Sequence, residues 1–264
     1  MSEAFVNGVR LHYRLDGPER APVVALVNSL GTDLTMWEPQ VAVLAQRHRV
    51  LRHDTRGHGK SAAPPGPYTI DMLADDLIGL VSHAGATRFY VVGISLGGLE
   101  ALAVGLRQPQ GLAGIAICDA RIDVPSESAK AMDARVRLAR ERGMAPIAEA
   151  MVERWFTAPT LAAKPAYLDT VRKMLLATSV EGFAGCTGAI KHSGLSQRVA
   201  ALRIPTLFLA GDQDAALPVE LMRQVQSQVP GARAAAIPGA GHLSNLEQPA
   251  AFNEALLAFL RDVG

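Results

Sequence analysis

A serine stands at the centre of Gly93-Ile94-Ser95-Leu96-Gly97, with Gly98 directly after. The run Phe89 to Gly93 before it is strand-like, and Leu96 to Arg107 after it is helical. Gly-x-Ser-x-Gly between a strand and a helix holds the serine on a sharp turn, with its hydroxyl projecting above a sheet edge. Only small neighbours leave room for that turn, which accounts for Gly93 and Gly97. The helix N-terminus below favours negative charge as it develops. The chemistry implied is nucleophilic attack on an acyl carbon. A serine hydroxyl is a weak nucleophile near neutral pH and needs a base. His242 is the preferred one of seven histidines. It lies in Pro238-Gly239-Ala240-Gly241-His242, a loop between the last strand and the last helix, at the same strand-end edge as Ser95. His12, His48, His53, His58, His83 and His192 read as structural or solvated. None has the spacing of a metal site, so no metal is expected.

The base needs an acid to fix its tautomer. Gly211-Asp212-Gln213-Asp214 follows a strand and keeps the chain order Ser, Asp, His. Asp214 is preferred; Asp212 is read as capping the turn, and Asp119, after another strand, is the remaining alternative. Acyl transfer also needs donors for the oxyanion. The backbone N–H of Leu96 supplies one. The second is assigned to Leu30, in the loop Asn28-Ser29-Leu30-Gly31, although Asn28 and Ser29 could instead cap the helix that follows.

The elements that must position these residues alternate. Phe5-Val6 and Val9 to Tyr13 flank an Asn7-Gly8 turn, a hairpin signal. Pro22–Asn28, Arg49–Asp54, Phe89–Gly93, Gly114–Cys118, Thr206–Ala210 and Ala232–Ile237 are the remaining strands. Met36–Gln46, Ile70–His83, Leu96–Arg107, Leu217–Gln228 and Pro249–Arg261 read as helices. Continuous β-branched runs such as Pro22–Asn28 fit strands buried on both faces of a parallel sheet. The class is α/β. Residues 123–196 break the alternation with four helical pieces, Ser128–Arg142, Ala145–Phe156, Pro165–Thr178 and Glu181–Lys191. That is too long for one crossover, so 123–196 is expected to be a helical cap on a core of 1–122 and 197–264.

Composition narrows the function. The 264 residues carry 26 Lys+Arg against 25 Asp+Glu, a net charge of +1, and only 19% are charged. No basic excess exists to hold a nucleic-acid backbone or an anionic membrane. The longest apolar runs fall well short of the roughly 20 residues that span a bilayer, and residues 1–17 lack signal-peptide character. Two cysteines, Cys118 and Cys186, make no disulfide framework and suit a reducing compartment. A cytoplasmic enzyme acting on a small molecule is the expectation.

Together these segments resemble the α/β-hydrolase family over nearly the whole chain. Asp54-Thr55-Arg56-Gly57-His58-Gly59-Lys60-Ser61 is similar to a largely structural turn of that family. The resemblance implies an eight-stranded, mostly parallel sheet with a cap over the active site. A narrower resemblance is to 3-oxoadipate enol-lactonases, which need no cofactor. It rests on Asn28 to Trp37, Asp54 to Ser61, Gly66 to Ile70, Arg154-Trp155-Phe156-Thr157 and Glu181 to Cys186. Leu96 stands where many members carry Met, and Cys118-Asp119-Ala120-Arg121 departs from a Cys-Asn-Thr type of segment. The lactone implied bears a free carboxylate, so a cation should meet it. Arg154 is the first choice, with Lys191, Arg121 and Arg135 as alternatives, and Trp155 is named as lining the pocket. The competing readings are a general carboxylesterase, a C–C bond hydrolase of ring-cleavage products, an amide hydrolase and a non-catalytic binding protein. A dehalogenase of this type needs Asp where Ser95 stands.

Overall fold

Residues 2–264 are described by a computed structural model; Met1, where the N-terminal reading and the 1–122 boundary begin, lies outside the described residues. Eight strands form one sheet: β1 (Ser2–Val6), β2 (Val9–Asp16), β3 (Val23–Val27), β4 (Arg49–His53), β5 (Phe89–Ile94), β6 (Leu112–Cys118), β7 (Thr206–Gly211) and β8 (Arg233–Ile237). Their spatial order is β1-β2-β4-β3-β5-β6-β7-β8. The β1–β2 and β2–β4 pairs are antiparallel and all the others parallel. Asn7 and Gly8 both take positive φ, as a two-residue hairpin turn demands. β3, β5 and β7 are buried at every position, the pattern expected of central parallel strands.

Helices cover both faces. α2 (Ile70–His83) and α3 (Leu96–Arg107) pack on one side with Leu11, Val27 and Ile115. α1 (Glu38–Leu44) and α11 (Pro249–Asp262) pack on the other with Leu26, Tyr90 and Leu209. Between β6 and β7 come α4 (Ser126–Arg142), α5 (Ala145–Trp155), α6 (Ala158–Ala163), α7 (Ala166–Ala177) and α8 (Val180–Lys191). α5 and α7 join the second core cluster through Ile147, Met151, Val171 and Leu175. α9 (Val219–Gln226) precedes β8, and the one-turn α10 (Ser244–Glu247) precedes α11. Among the described residues no helix is long and apolar enough to cross a membrane.

Three details differ from the sequence reading. The helix expected over 36–46 opens as a 3₁₀ turn, Leu34–Trp37, and becomes α-helical only at Glu38. Its cap is Asp33, whose side chain accepts from the Thr35 N–H, and not Asn28 or Ser29. α6 and α10 were not expected, because six and four residues are too few for a 3.6-residue period to register.

Candidate active site

The parallel strands β3, β5, β6, β7 and β8 point the same way, so the loops after them gather at one edge. Ser95 follows β5 with φ 55° and ψ −111°, a strained conformation for a residue with a side chain. The turn is possible because its flanks are bare. A Cβ on Gly93 would stand 1.9 Å from the Gly97 carbonyl oxygen, and one on Gly97 would stand 2.2 Å from that of Val27.

The loop after β8 brings His242 Nε2 to 2.9 Å from Ser95 Oγ. On its other side, His242 Nδ1 lies 2.8 Å from Asp214 Oδ2, in the loop after β7. A carboxylate only accepts, so Nδ1 carries the proton and Nε2 is left to accept from the serine hydroxyl. The second Asp214 oxygen accepts from the Ala216 N–H at 2.7 Å. Burial works against the charge on both partners, but each outweighs it for the other. The Asp214 charge and hydrogen bond, helped by Asp119, hold His242 above the ordinary imidazole value. The imidazole and two backbone N–H groups hold Asp214 below the ordinary carboxylate value.

The alternatives for the acid lie elsewhere. Asp212 is exposed and accepts from the Gly239 N–H at 2.8 Å, so it ties its own turn to the turn after β8. Asp119 is wholly buried behind the pair. It accepts from the Gly211 N–H at 2.8 Å and from Ser244 Oγ at 2.6 Å, fastening the loops that carry Asp214 and His242. Burial, then the nearby Asp214 charge, pushes it up to about 7.

Leu96 is the first residue of α3, so its N–H has no intrahelical acceptor. The Leu30 N–H has no acceptor among the described residues either. The loop around Leu30 is braced from below. The Gly31 N–H donates to His58 Nε2 at 2.8 Å, and Thr178 Oγ1 donates to the Gly31 carbonyl at 3.1 Å. Asn28 donates to the His53 carbonyl at 2.7 Å and accepts from Trp37 Nε1 at 3.0 Å. His58, expected to be structural or solvated, is buried and structural, and its particular contact is not legible in a glycine-rich turn. Burial lowers its pKa, which keeps Nε2 free to accept.

Ser95 and His242 open into a cavity of about 420 Å³ whose walls include Leu30, Leu96, Met151, Trp155 and Phe183. Trp155 is buried and stacks on His242, with ring centroids 6.0 Å apart. Of the four cations considered, three line this cavity: Arg121, Arg135 and Arg154. Arg121 is engaged by Asp123 in a bidentate pair at 3.0 and 3.1 Å. Lys191 lies in a separate groove, paired with Asp133 at 2.5 Å. Arg135 and Arg154 have no carboxylate partner among the described residues. Burial, then repulsion from Arg154, lowers the Arg135 pKa. Arg154 is exposed and Arg135 only partly so, the reverse of the weight the sequence placed on them. Among the described residues no group of three His, Cys, Asp or Glu side chains is arranged to hold a metal. Both cysteines are buried and free.

The family model described as alpha/beta hydrolase fold matches residues 22–249. The chain belongs to the α/β-hydrolase family. This α/β hydrolase is 33% identical to 3-oxoadipate enol-lactonase 2 of Acinetobacter baylyi, over 96% of this chain and 94% of that one. The crystal structure of the enol-lactonase from Burkholderia xenovorans superposes with a TM-score of 0.94 at 38% identity, covering 98% of this chain and all of that one. A thermophilic esterase from Thermogutta terrifontis, solved with malate bound, superposes at 0.93 with 31% identity, over all of this hydrolase and 99% of the esterase.

Proposed function

We propose that this hydrolase opens a small, carboxylate-bearing lactone, of the 3-oxoadipate enol-lactone type, through an acyl-enzyme on Ser95. The observation that carries the reading is the Ser95–His242–Asp214 line facing a cavity with two arginines that lack carboxylate partners. The relatives named as enol-lactonases support the choice of substrate. The esterase solved with malate bound is a similar fold that takes up a small carboxylate, which is in keeping with an anionic substrate.

In the first half-reaction His242 Nε2 takes the proton of Ser95 as Oγ attacks the lactone carbonyl. The oxyanion is received by the N–H groups of Leu30 and Leu96, where preorganised donors act most strongly. His242 then returns the proton to the ring oxygen as the C–O bond breaks. In an enol-lactone the released enol becomes a ketone, which makes the step strongly downhill without a cofactor. Water, activated by the same imidazole, releases the acid in the second half-reaction. Asp214 holds the tautomer and stabilises the imidazolium throughout. Residues 123–196 act as a cap supplying most of the cavity wall. The free thiols Cys118 and Cys186 are in keeping with a reducing cytoplasm.

The arginines divide the work unequally. An exposed ion pair at Arg154 is screened and is worth about 0–1 kcal/mol. A charge-assisted bond to the better-buried Arg135 is worth about 1.5–3 kcal/mol, roughly one to two powers of ten. Comparing kcat/KM for the enol-lactone and for p-nitrophenyl acetate tests the reading. The lactone should win. Arg135→Met should raise its KM about tenfold or more, Arg154→Met by less, and neither should alter the neutral ester. The apolar lining by Leu99, Val124, Met132 and Ile190 favours a second reading, a general carboxylesterase. Preference for the neutral ester would install it.

A further inference from the structure

Glu247 has no part in the chemistry above, yet it is buried and bonded to the backbone beside the base. Its Oε2 accepts from the Gly241 N–H at 2.7 Å, one residue before His242. Its Oε1 accepts from the Thr157 N–H at 2.9 Å and from Thr157 Oγ1 at 2.5 Å. One carboxylate therefore joins the loop that carries His242 to the junction of α5 and α6. The junction returns the contact, because the His242 N–H donates to the Trp155 carbonyl at 2.7 Å. There is no slack between the two segments. A Cβ on Gly241 would stand 2.4 Å from the same Trp155 carbonyl oxygen. Trp155 then lays its ring against the His242 ring.

We propose that Glu247 is a positioning residue that fixes the C-terminal end of α5, with Arg154 and Trp155, in register with His242. The inference rests on the proposed reading only where it uses Arg154 as an anion contact. It has a consequence for the cavity wall. The α5 end is a fixed wall of the cavity, facing α4, which contributes Glu127, Ser128, Ala131 and Met132 to the lining. A bare carboxylate suits the role. It receives three donors and offers none, whereas glutamine would set an NH₂ against a backbone N–H on one side or the other.

The test uses two esters of the same leaving group, p-nitrophenyl hemisuccinate and p-nitrophenyl acetate. The variants are Glu247→Ala, Arg154→Met and their combination, each first checked for an intact cooperative melt. Glu247→Ala should lower kcat on the neutral ester, because the loop carrying His242 loses its tie through Gly241 to Thr157 at the end of α5. It should also lower the anionic-to-neutral ratio of kcat/KM by as much as Arg154→Met does, up to about fivefold for an exposed contact. Adding Arg154→Met to Glu247→Ala should change the ratio no further. Should Glu247→Ala not fold, Thr157→Val removes one of the three donors and should move kcat and the ratio the same way. Unchanged kcat in a folded variant overturns the proposal. So does an equal fall for both esters with the effect of Arg154→Met intact. A wild-type enzyme without preference for the anionic ester overturns the substrate reading instead, and kcat on the neutral ester then judges Glu247 alone.

Discussion

Asp214 and Asp212 are separated by one residue, yet their surroundings are opposite. Asp214 is buried, with one oxygen on His242 and the other on a backbone N–H. Asp212 is exposed, and its carboxylate accepts from the Gly239 N–H. An asparagine at 214 would present its amide to Nδ1 and favour the wrong tautomer, so Asp214→Asn should cut kcat by about 10⁴. Asp212→Asn should leave turnover nearly unchanged, as read by steady-state rates on any good ester. A reversal of the two would make Asp212 the orienting acid. The sequence singled out Ser95, His242 and Asp214 because their order and their places after strands are local properties. The bracing role of Asp119, which the sequence offered only as an alternative acid, escaped that kind of reading, as did Glu247 and the contact made by His58. What each does depends on which distant backbone N–H meets it, and spacing along the chain does not encode that.

At the scale of elements, the alternation of β-branched runs and helical stretches was enough to reach the eight strands and the long helices. What it missed was short: α6, α10 and the 3₁₀ opening of α1. The contact between α8 and the turn after β4 was equally invisible, because it is made of two glycines. A Cβ on Gly182 would stand 2.1 Å from the Gly57 carbonyl oxygen, and Gly57 itself takes φ +82°. α8 can lie this close to the core only without side chains. Gly182→Ala should therefore destabilise by about 1–3 kcal/mol, the usual cost of overpacking. Gly188, on the same helix, has no atom within 4 Å of the place a Cβ would take. Gly188→Ala should stabilise by about 0.5–1 kcal/mol through helix propensity alone. Chemical denaturation of the pair checks both signs; destabilisation by both would remove the close approach as the explanation.

At the scale of the molecule, a net charge of +1 provides no strong surface field to steer a charged ligand. One buried acid away from the site bears on stability in a way that a single substitution tests. Glu100, on α3, is completely buried, and neither oxygen has a hydrogen-bond partner among the described residues. Burial, then the Asp76 charge, raises its pKa well above the ordinary 4.5, so it is folded in as the neutral acid. A raised folded-state pKa contributes stability in full below the unfolded value and loses it as pH climbs. Between the two values the loss is about 1.4 kcal/mol per pH unit. Glu100→Gln cannot ionise. Its stability relative to wild type should improve steadily as pH rises above the ordinary carboxylate value, as read in urea titrations. Parallel curves would mean that Glu100 is charged or solvated in the folded protein.

The central claim is that Ser95 carries the substrate. Opening a lactone expels no fragment, so the acyl-enzyme keeps every atom of it. Acid-quenching the enzyme during turnover of the enol-lactone and weighing it intact should reveal a species heavier by the whole substrate, with the added mass on the peptide containing Ser95. Ser95→Ala should fold, show no such species and lose several powers of ten in kcat. A folded Ser95→Ala enzyme that turns the lactone over at close to the wild-type rate would contradict the account.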